Sequence, residues 1–259
     1  MYSTFYCTHS LGPIIHATGL RPVSVTGFEG TKNLRKLNVG SKSGSFGIEM
    51  VTLENGGIIK SIHGGLYENS VWYCMYGDKG EMECGRETAD DGHIYRLYIK
   101  ADESPSAYGT EKREDFRPTH GMEDRVEGFA HGGSDFYSMY NFVEKIKGNP
   151  EADTIDVYEA LDMFLPGMFA YRSILNGGIP MDIPNLRDKA EREKWRNDTA
   201  CTDPKVAGDM LLPTFSKGTP EIDKGVYDHI KNLWDAECNG TGTSGYRELA
   251  FSQGFGTKV

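Results

Sequence analysis

Between residues 21 and 100 the chain reads as short alternating strands joined by tight turns, with most helical patterns coming later. Residues 21–28 alternate, with Val23 and Val25 on one face. Residues 46–53 and 58–63 flank Glu54-Asn55-Gly56-Gly57, and Asn-Gly between apolar runs is a strong hairpin signal. Residues 71–76 and 81–85 flank Gly77-Asp78-Lys79-Gly80, a second hairpin signal, and residues 93–99 add a further strand. Tight hairpins join antiparallel neighbours, because a parallel pair needs a long crossover. On the order of six strands in this stretch thus predict a mainly antiparallel sheet.

The helical signals bracket that sheet. Residues 3–17 predict a first helix, with Thr8 or Ser10 as cap, Pro13 in an early turn and Gly19 as its stop. After residue 130, Phe136, Met139, Tyr140, Val143 and Ile146 keep helical spacing behind Ser134 or Asp135. Val157, Leu161, Leu165, Met168 and Phe169 follow, with Asp153 or Thr154 as cap and a kink at Pro166. Gly177-Gly178 ends that helix, residues 180–184 are a short extended piece, and residues 186–195 predict a charged helix. The expected fold is α+β, an open, mainly antiparallel sheet with helices packed on one face. One domain over residues 1–259 is expected, with its core at 4–237, a long loop at 101–130 and a flexible tail at 238–259.

Charge narrows the partners. A net charge of −10 without any long Lys/Arg run argues against nucleic acid and anionic membranes. No apolar stretch reaches the roughly 18 residues of a membrane span, and no signal peptide is written at the start. The chain is expected in the cytoplasm as written, or in the periplasm if an upstream signal exists. Five scattered cysteines (Cys7, Cys74, Cys84, Cys201, Cys238) form no Cys-x-x-Cys or Cys/His cluster, so no metal site is expected and free thiols are the default. Gly240-Thr-Gly242-Thr-Ser-Gly245 matches the dinucleotide fingerprint in letters alone. That motif needs a strand before it and a helix after it, and only fourteen residues follow Gly245.

Three segments carry candidate chemistry. In Tyr6-Cys7-Thr8-His9-Ser10-Leu11-Gly12-Pro13, Tyr6 and His9 fall on one helical face, where an imidazole and a phenol can bind and deprotonate a sugar hydroxyl or its neighbouring carbon. His131-Gly132-Gly133-Ser134-Asp135-Phe136-Tyr137 leads two glycines into a helix N-terminus, which suits close approach of a polar ligand. Ala160–Met163 and Arg172–Pro184, with Ser173-x-x-x-Gly177-Gly178-x-Pro180, read as scaffold. His16, His63, His93, His120 and His229 have no spacing that marks a site, and no carboxylate pair stands out as a glycosidase dyad.

Together these segments resemble the substrate domain of the Gfo/Idh/MocA family of sugar oxidoreductases, and most nearly its branch of NAD-dependent glycosidases of family 109. Cys7 stands where that branch usually has proline. The resemblance implies a sheet-and-helix substrate domain, a carbohydrate or glycoside substrate, and a homodimer formed through the sheet face. It also implies NAD as cofactor, held by a Rossmann domain that normally precedes the first segment. No such domain is read in these residues, so the chain is expected to be a fragment of a longer enzyme, to receive its cofactor from a separate polypeptide, or to have lost catalysis. Tyr6 and His9 would be the catalytic pair, and Tyr6, Cys7, Thr8, His9, His131 and Asp135 the substrate contacts. In such enzymes hydride removal from a sugar carbon acidifies the adjacent C–H, elimination follows, and hydration with hydride return completes the cycle. Plain dehydrogenase and glycosidase stay open, as does a non-catalytic sugar-binding or assembly module.

Overall fold

The computed structural model describes residues 1–32, 37, 39–64, 72–85, 94–100, 110–119, 121–126, 128–129 and 131–240. The chain divides into two compact units, residues 1–69 with 156–259, and residues 70–155.

The first unit holds a four-stranded antiparallel sheet. Its strands are β1 (Pro22–Glu29), β2 (Phe46–Leu53), β3 (Ile58–Gly64) and, beyond β1, a two-residue strand, Met181–Asp182, which is β8 in chain order. The spatial order is β3-β2-β1-β8. Period-two alternation gives the sheet two faces. Val25, Val51, Leu53 and Ile59 point to the buried face, while Phe28 and Ile58 point outward and are exposed. Helix α1 (Thr8–Thr18) and the long helix α3 (Val157–Leu175) cover the buried face. Leu11, Ile15, Leu165, Phe169 and Ala170 complete a continuous apolar core there. The α+β class with helices on one sheet face is therefore as expected.

Local chemistry explains where the helices begin and end. Asp156 caps α3, its carboxylate accepting from the N–H groups of Tyr158 and Glu159 at 2.8 Å each, in place of the expected Asp153 or Thr154. Gly177 and Gly178, at φ 80° and 82°, turn the chain away after Leu175. Ser173 then ties the turn down, its hydroxyl donating to the Ile179 carbonyl at 2.5 Å and accepting from the Gly27 N–H at 3.1 Å. Arg172 lies over the rings of Phe169 and Trp195 and pairs with Asp198 at 2.6 Å, which fixes helix α4 (Lys189–Trp195) beside α3. Short helix α5 (Pro204–Ala207) and amphipathic α6 (Lys224–Cys238) follow. The fingerprint-like glycines from 241 onward lie outside the described residues.

The second unit holds a separate antiparallel meander, β4 (Cys74–Tyr76), β5 (Gly80–Cys84), β6 (Tyr95–Lys100) and β7 (Thr110–Phe116), in that spatial order. Two differences from the sequence reading follow. The single meander expected over 21–100 is two sheets, and β7 lies inside the stretch read as a long loop. Strand β7, Thr-Glu-Lys-Arg-Glu-Asp-Phe, is almost wholly charged, so its sequence lacks the polar–apolar alternation that marks a half-buried strand. It pairs through its backbone, with Arg96 of β6 facing Asp115. Helix α2 (Ser134–Ile146) begins after Gly133. His93 and His120 lie outside the described residues.

Helix α3 approaches its neighbours most closely at two small residues. A Cβ on Gly27 would lie 2.2 Å from the Ala170 carbonyl oxygen, and one on Gly167 would lie 2.3 Å from the Thr4 carbonyl oxygen and 2.5 Å from Cys7 Sγ. Gly167→Ala is expected to destabilise the first unit by about 1–3 kcal/mol, as overpacking of a close-packed contact does. Urea denaturation checks this, and an unchanged midpoint would mean that the N-terminal turn does not dock on α3.

Candidate functional site

The N-terminal turn is held against α3 by polar contacts as well as packing. The Thr4 hydroxyl donates to the Gly167 carbonyl at 2.7 Å, and the Cys7 thiol donates to the Met163 carbonyl at 3.4 Å. Both acceptors flank Pro166, whose missing N–H and bulky ring disturb the normal ladder of α3. Tyr2 stacks on Tyr171 at 4.7 Å and 11°, and the Tyr171 hydroxyl donates to the Pro213 carbonyl at 2.5 Å. Burial pushes the phenols of Tyr2 and Tyr171 up, so both stay neutral.

On this anchored turn stand the two residues singled out by spacing. The rings of Tyr6 and His9 stack with centroids 4.0 Å apart and an interplanar angle of 18°. Tyr6 is 57% exposed and His9 is exposed, so the pair presents a flat polar-edged surface to solvent. Thr8 is half-buried beside them. Cys7 differs from expectation. Its side chain is fully buried, its thiol faces Met163 and Phe164, and burial pushes that thiol up, so it serves the core rather than a ligand. The helix starts without a side-chain cap, and the Ser10 hydroxyl instead donates back to the Cys7 carbonyl at 3.0 Å.

His131 and Asp135 also come together, within the second unit. His131 Nδ1 lies 3.0 Å and 3.2 Å from the two Asp135 carboxylate oxygens, and both residues are well exposed. His131 adopts φ 54°, in the left-handed region that residues other than glycine seldom enter, His, Asn and Asp more often than the rest. Gly133 at φ 92° follows it, with Val126 where a Cβ would go. The backbone strain and the ion pair together aim the His131 imidazole outward.

A third group escapes spacing analysis because it is buried. Glu49 on β2 is fully enclosed and stands directly across the ladder from Ser61 on β3. Ser61 Oγ lies 2.6 Å from Ser10 Oγ and 3.3 Å from His63 Nδ1, and His63 Nε2 lies 3.8 Å from Glu49 Oε1. Burial holds the Glu49 carboxyl well above the ordinary carboxylate range, and the Ser61 hydroxyl offsets this only in part. The signal was in the alternation. Glu49 shares parity with Val51 and Leu53, and His63 shares parity with Ile59, so each occupies a core-facing position. In the second unit, Cys74, Glu81 and Glu83 gather on the β4–β5 hairpin. There the thiol donates to Glu81 at 3.3 Å and Arg96 stands 3.7 Å from Glu83, so the group is partnered from within.

Comparison with known proteins shows what this α+β chain is similar to. Residues 109–197 match the family model described as glycosyl hydrolase 109, C-terminal domain. That stretch contains the His131–Tyr137 and Arg172–Pro184 segments, so the resemblance read from the sequence to the family 109 branch of Gfo/Idh/MocA oxidoreductases is borne out. No curated protein matches the chain. Among solved structures, an inositol dehydrogenase homolog from Azotobacter vinelandii, complexed with NADH and myo-inositol, is 13% identical with a TM-score of 0.46. The match covers 69% of this chain and 48% of that one. An oxidoreductase domain protein from Kribbella flavida is 15% identical, with a TM-score of 0.44 and coverage of 68% and 48%. The WlbA dehydrogenase from Bordetella pertussis, in complex with NADH and UDP-GlcNAcA, is 16% identical, with a TM-score of 0.38 and coverage of 63% and 41%. The chain thus spans about half the length of the solved structures it matches. No described helix is long and apolar enough to cross a membrane.

The placement of Cys7 has a direct check. Cys238 is exposed and Cys7 is enclosed. In the native protein a thiol reagent is expected to label Cys238 within minutes and Cys7 only after denaturation, as peptide mapping reads out. Labelling of Cys7 at the rate of Cys238 would return it to the surface as a ligand contact.

Proposed function

We propose that the chain is the carbohydrate-binding domain of a Gfo/Idh/MocA-type sugar oxidoreductase or glycosidase, with Tyr6 and His9 as the principal sugar contacts. The observation that carries this reading is the exposed, stacked Tyr6–His9 pair on a turn fixed from below by Thr4, Cys7 and Gly167. Stacked rings offer the apolar C–H face of a sugar a flat partner, while the phenol and imidazole offer hydrogen bonds to its hydroxyls. His9, as a neutral imidazole, can accept a proton from a hydroxyl or from an acidified neighbouring carbon, and Tyr6 orients the same hydroxyl. His131 with Asp135 is a second polar pair suited to sugar hydroxyls, and Cys7 and Thr8 complete the first segment from within.

NAD is the cofactor implied by the family, and the described residues do not fit it. A dinucleotide cradle is built on parallel strands with helical crossovers, whereas every described strand pair here is antiparallel. No step is therefore assigned through it to this chain. A sugar-binding or assembly module without catalysis would use the same surface. Sugar binding with no turnover when NAD and a Rossmann-type cofactor domain of the same family are both supplied favours that second reading. The free state of all five cysteines supports a reducing compartment.

Ligand-observed NMR against a panel of simple glycosides tests the reading on the chain as it stands. Removing one ring by Tyr6→Ala or His9→Ala is expected to weaken binding about 5- to 10-fold, equivalent to about 1 kcal/mol of lost aromatic contact. His16→Ala is the control, because His16 is engaged with Glu159 at 2.6 Å. In an assembled, active enzyme His9→Ala is expected to slow turnover about 10²–10⁴-fold, the range for loss of a general base. Equal losses from His9→Ala and His16→Ala would leave α1 with a packing role only.

We also propose a homodimer through the outer face of the first sheet. Phe28, Ile48 and Ile62 stand side by side across β1, β2 and β3, with Met50 and Ile58 on the same face. A contiguous apolar surface of this kind is commonly an interface. Light scattering is expected to give a dimer for the native chain and a monomer for Ile48→Lys. A monomeric native chain at high concentration would reject the assembly.

A further inference from the structure

Helix α3 carries a second stripe of side chains besides the one that receives the N-terminal turn. Thr4 and Cys7 meet it at Met163, Phe164 and Gly167, whereas Leu165, Met168, Phe169 and Arg172 recur at helical spacing on another side. Across from that second stripe stand Leu186, on the segment that follows β8, and Trp195, at the end of α4. Between the two sides lies a cavity of about 170 Å³ that opens to solvent. Leu165 and Phe169 belong to the enclosed core, while Met168, Leu186 and Trp195 pack against it only in part and line the cavity with what they leave uncovered.

The charged groups on this wall are already matched. Arg172 pairs with Asp198 at 2.6 Å, and their side chains are 14% and 11% exposed. The guanidinium also lies over the rings of Phe169 and Trp195, 5.2 and 5.3 Å from their centroids. An incoming anion would have to displace Asp198, and an incoming cation would meet Arg172. A sugar would give up the water around its hydroxyls to walls that are mostly apolar and return few hydrogen bonds. Uncharged hydrocarbon is what gains by entering.

Size and wall geometry narrow the class further. Protein interiors fill about three-quarters of their volume, so this space takes about 125 Å³ of ligand atoms, one six-membered ring with one or two small substituents. Apolar cavities of roughly 150 Å³ admit benzene. The rings of Phe169 and Trp195 meet edge to face, 5.1 Å apart at 82°, so a third ring can lie flat on one while meeting the edge of the other. We propose that this cavity binds an uncharged molecule built on a single aromatic ring, at a site separate from the Tyr6–His9 surface. The proposal does not rest on the sugar-binding reading, because the Tyr6–His9 turn docks on the other stripe of α3.

NMR of the native chain titrated with toluene tests it. The Met168 methyl and the Trp195 indole N–H are expected to shift and saturate together, with the Trp234 indole unmoved. Shifts that never saturate, or that fall equally on Trp195 and Trp234, overturn the site. Benzoate and benzylamine are expected to bind at least about 10-fold more weakly than toluene, since each brings an unmatched charge to a wall whose own charges are paired. Equal affinity for either charged ring overturns the uncharged class. Leu186→Trp fills the cavity and is expected to abolish the toluene shifts at an unchanged melting temperature, and a well-folded variant that still binds toluene rejects the placement. Met168→Ala tests the same placement without added bulk. It enlarges the cavity and is expected to favour naphthalene over toluene by about 5- to 10-fold relative to the native chain, as extra buried ring surface does. An unchanged preference overturns the proposal. A simple glycoside is expected to leave bound toluene in place, and displacement would overturn the separation of the two sites. Toluene saturation with no glycoside binding would sink the functional reading alone.

Discussion

Everything described in the first unit depends on how closely the N-terminal turn can approach α3. At Gly167 the Thr4 carbonyl oxygen and Cys7 Sγ come so near that no side chain fits between the two backbones. The approach falls beside Pro166. Proline there disrupts the ladder, and Thr4 and Cys7 donate into the carbonyls on either side. The bond that proline removes is the one to the Asp162 carbonyl, so Thr4 and Cys7 add contacts at carbonyls on either side of the break rather than replace it. The Tyr6–His9 surface inherits its position from that contact.

Much of this was legible. Asn55-Gly56 marked the β2–β3 hairpin, Gly177-Gly178 marked the end of α3, and the three-residue spacing of Tyr6 and His9 put their rings together. Each rests on local geometry, which a short window of sequence contains. What stayed hidden was non-local or polar-inward. The split of the strands into two sheets depends on which hairpins associate, and two antiparallel meanders carry the same local pattern as one. Strand β7 was invisible because most of its side chains are charged, and its pairing with β6 through the backbone, the Arg96–Asp115 ion pair and the Tyr95–Phe116 stack is non-local. Cys7 was read with its neighbours as a ligand contact, yet it faces inward in a segment whose adjacent residues face out.

One polar contact fixes α1 on the first sheet more narrowly than apolar packing does. The inner face of the first sheet is paved with Val25, Val51, Leu53 and Ile59, and apolar contact of this kind is strong but nondirectional. A helix resting on such a face can shift by a fraction of a turn at small cost. The 2.6 Å contact between Ser10 and Ser61 has no such tolerance, since a hydrogen bond weakens steeply with distance and angle. Replacing Ser61 with alanine would leave the apolar packing beneath α1 in place. What would be lost is register. The exposed Tyr6 and His9 rings, 4.0 Å apart, stand within one turn of Ser10 and take their register from that contact. The division of labour follows from solvent. The Tyr6 and His9 rings face solvent, while the contact between Ser10 and Ser61 that sets their register is half-buried between α1 and β3.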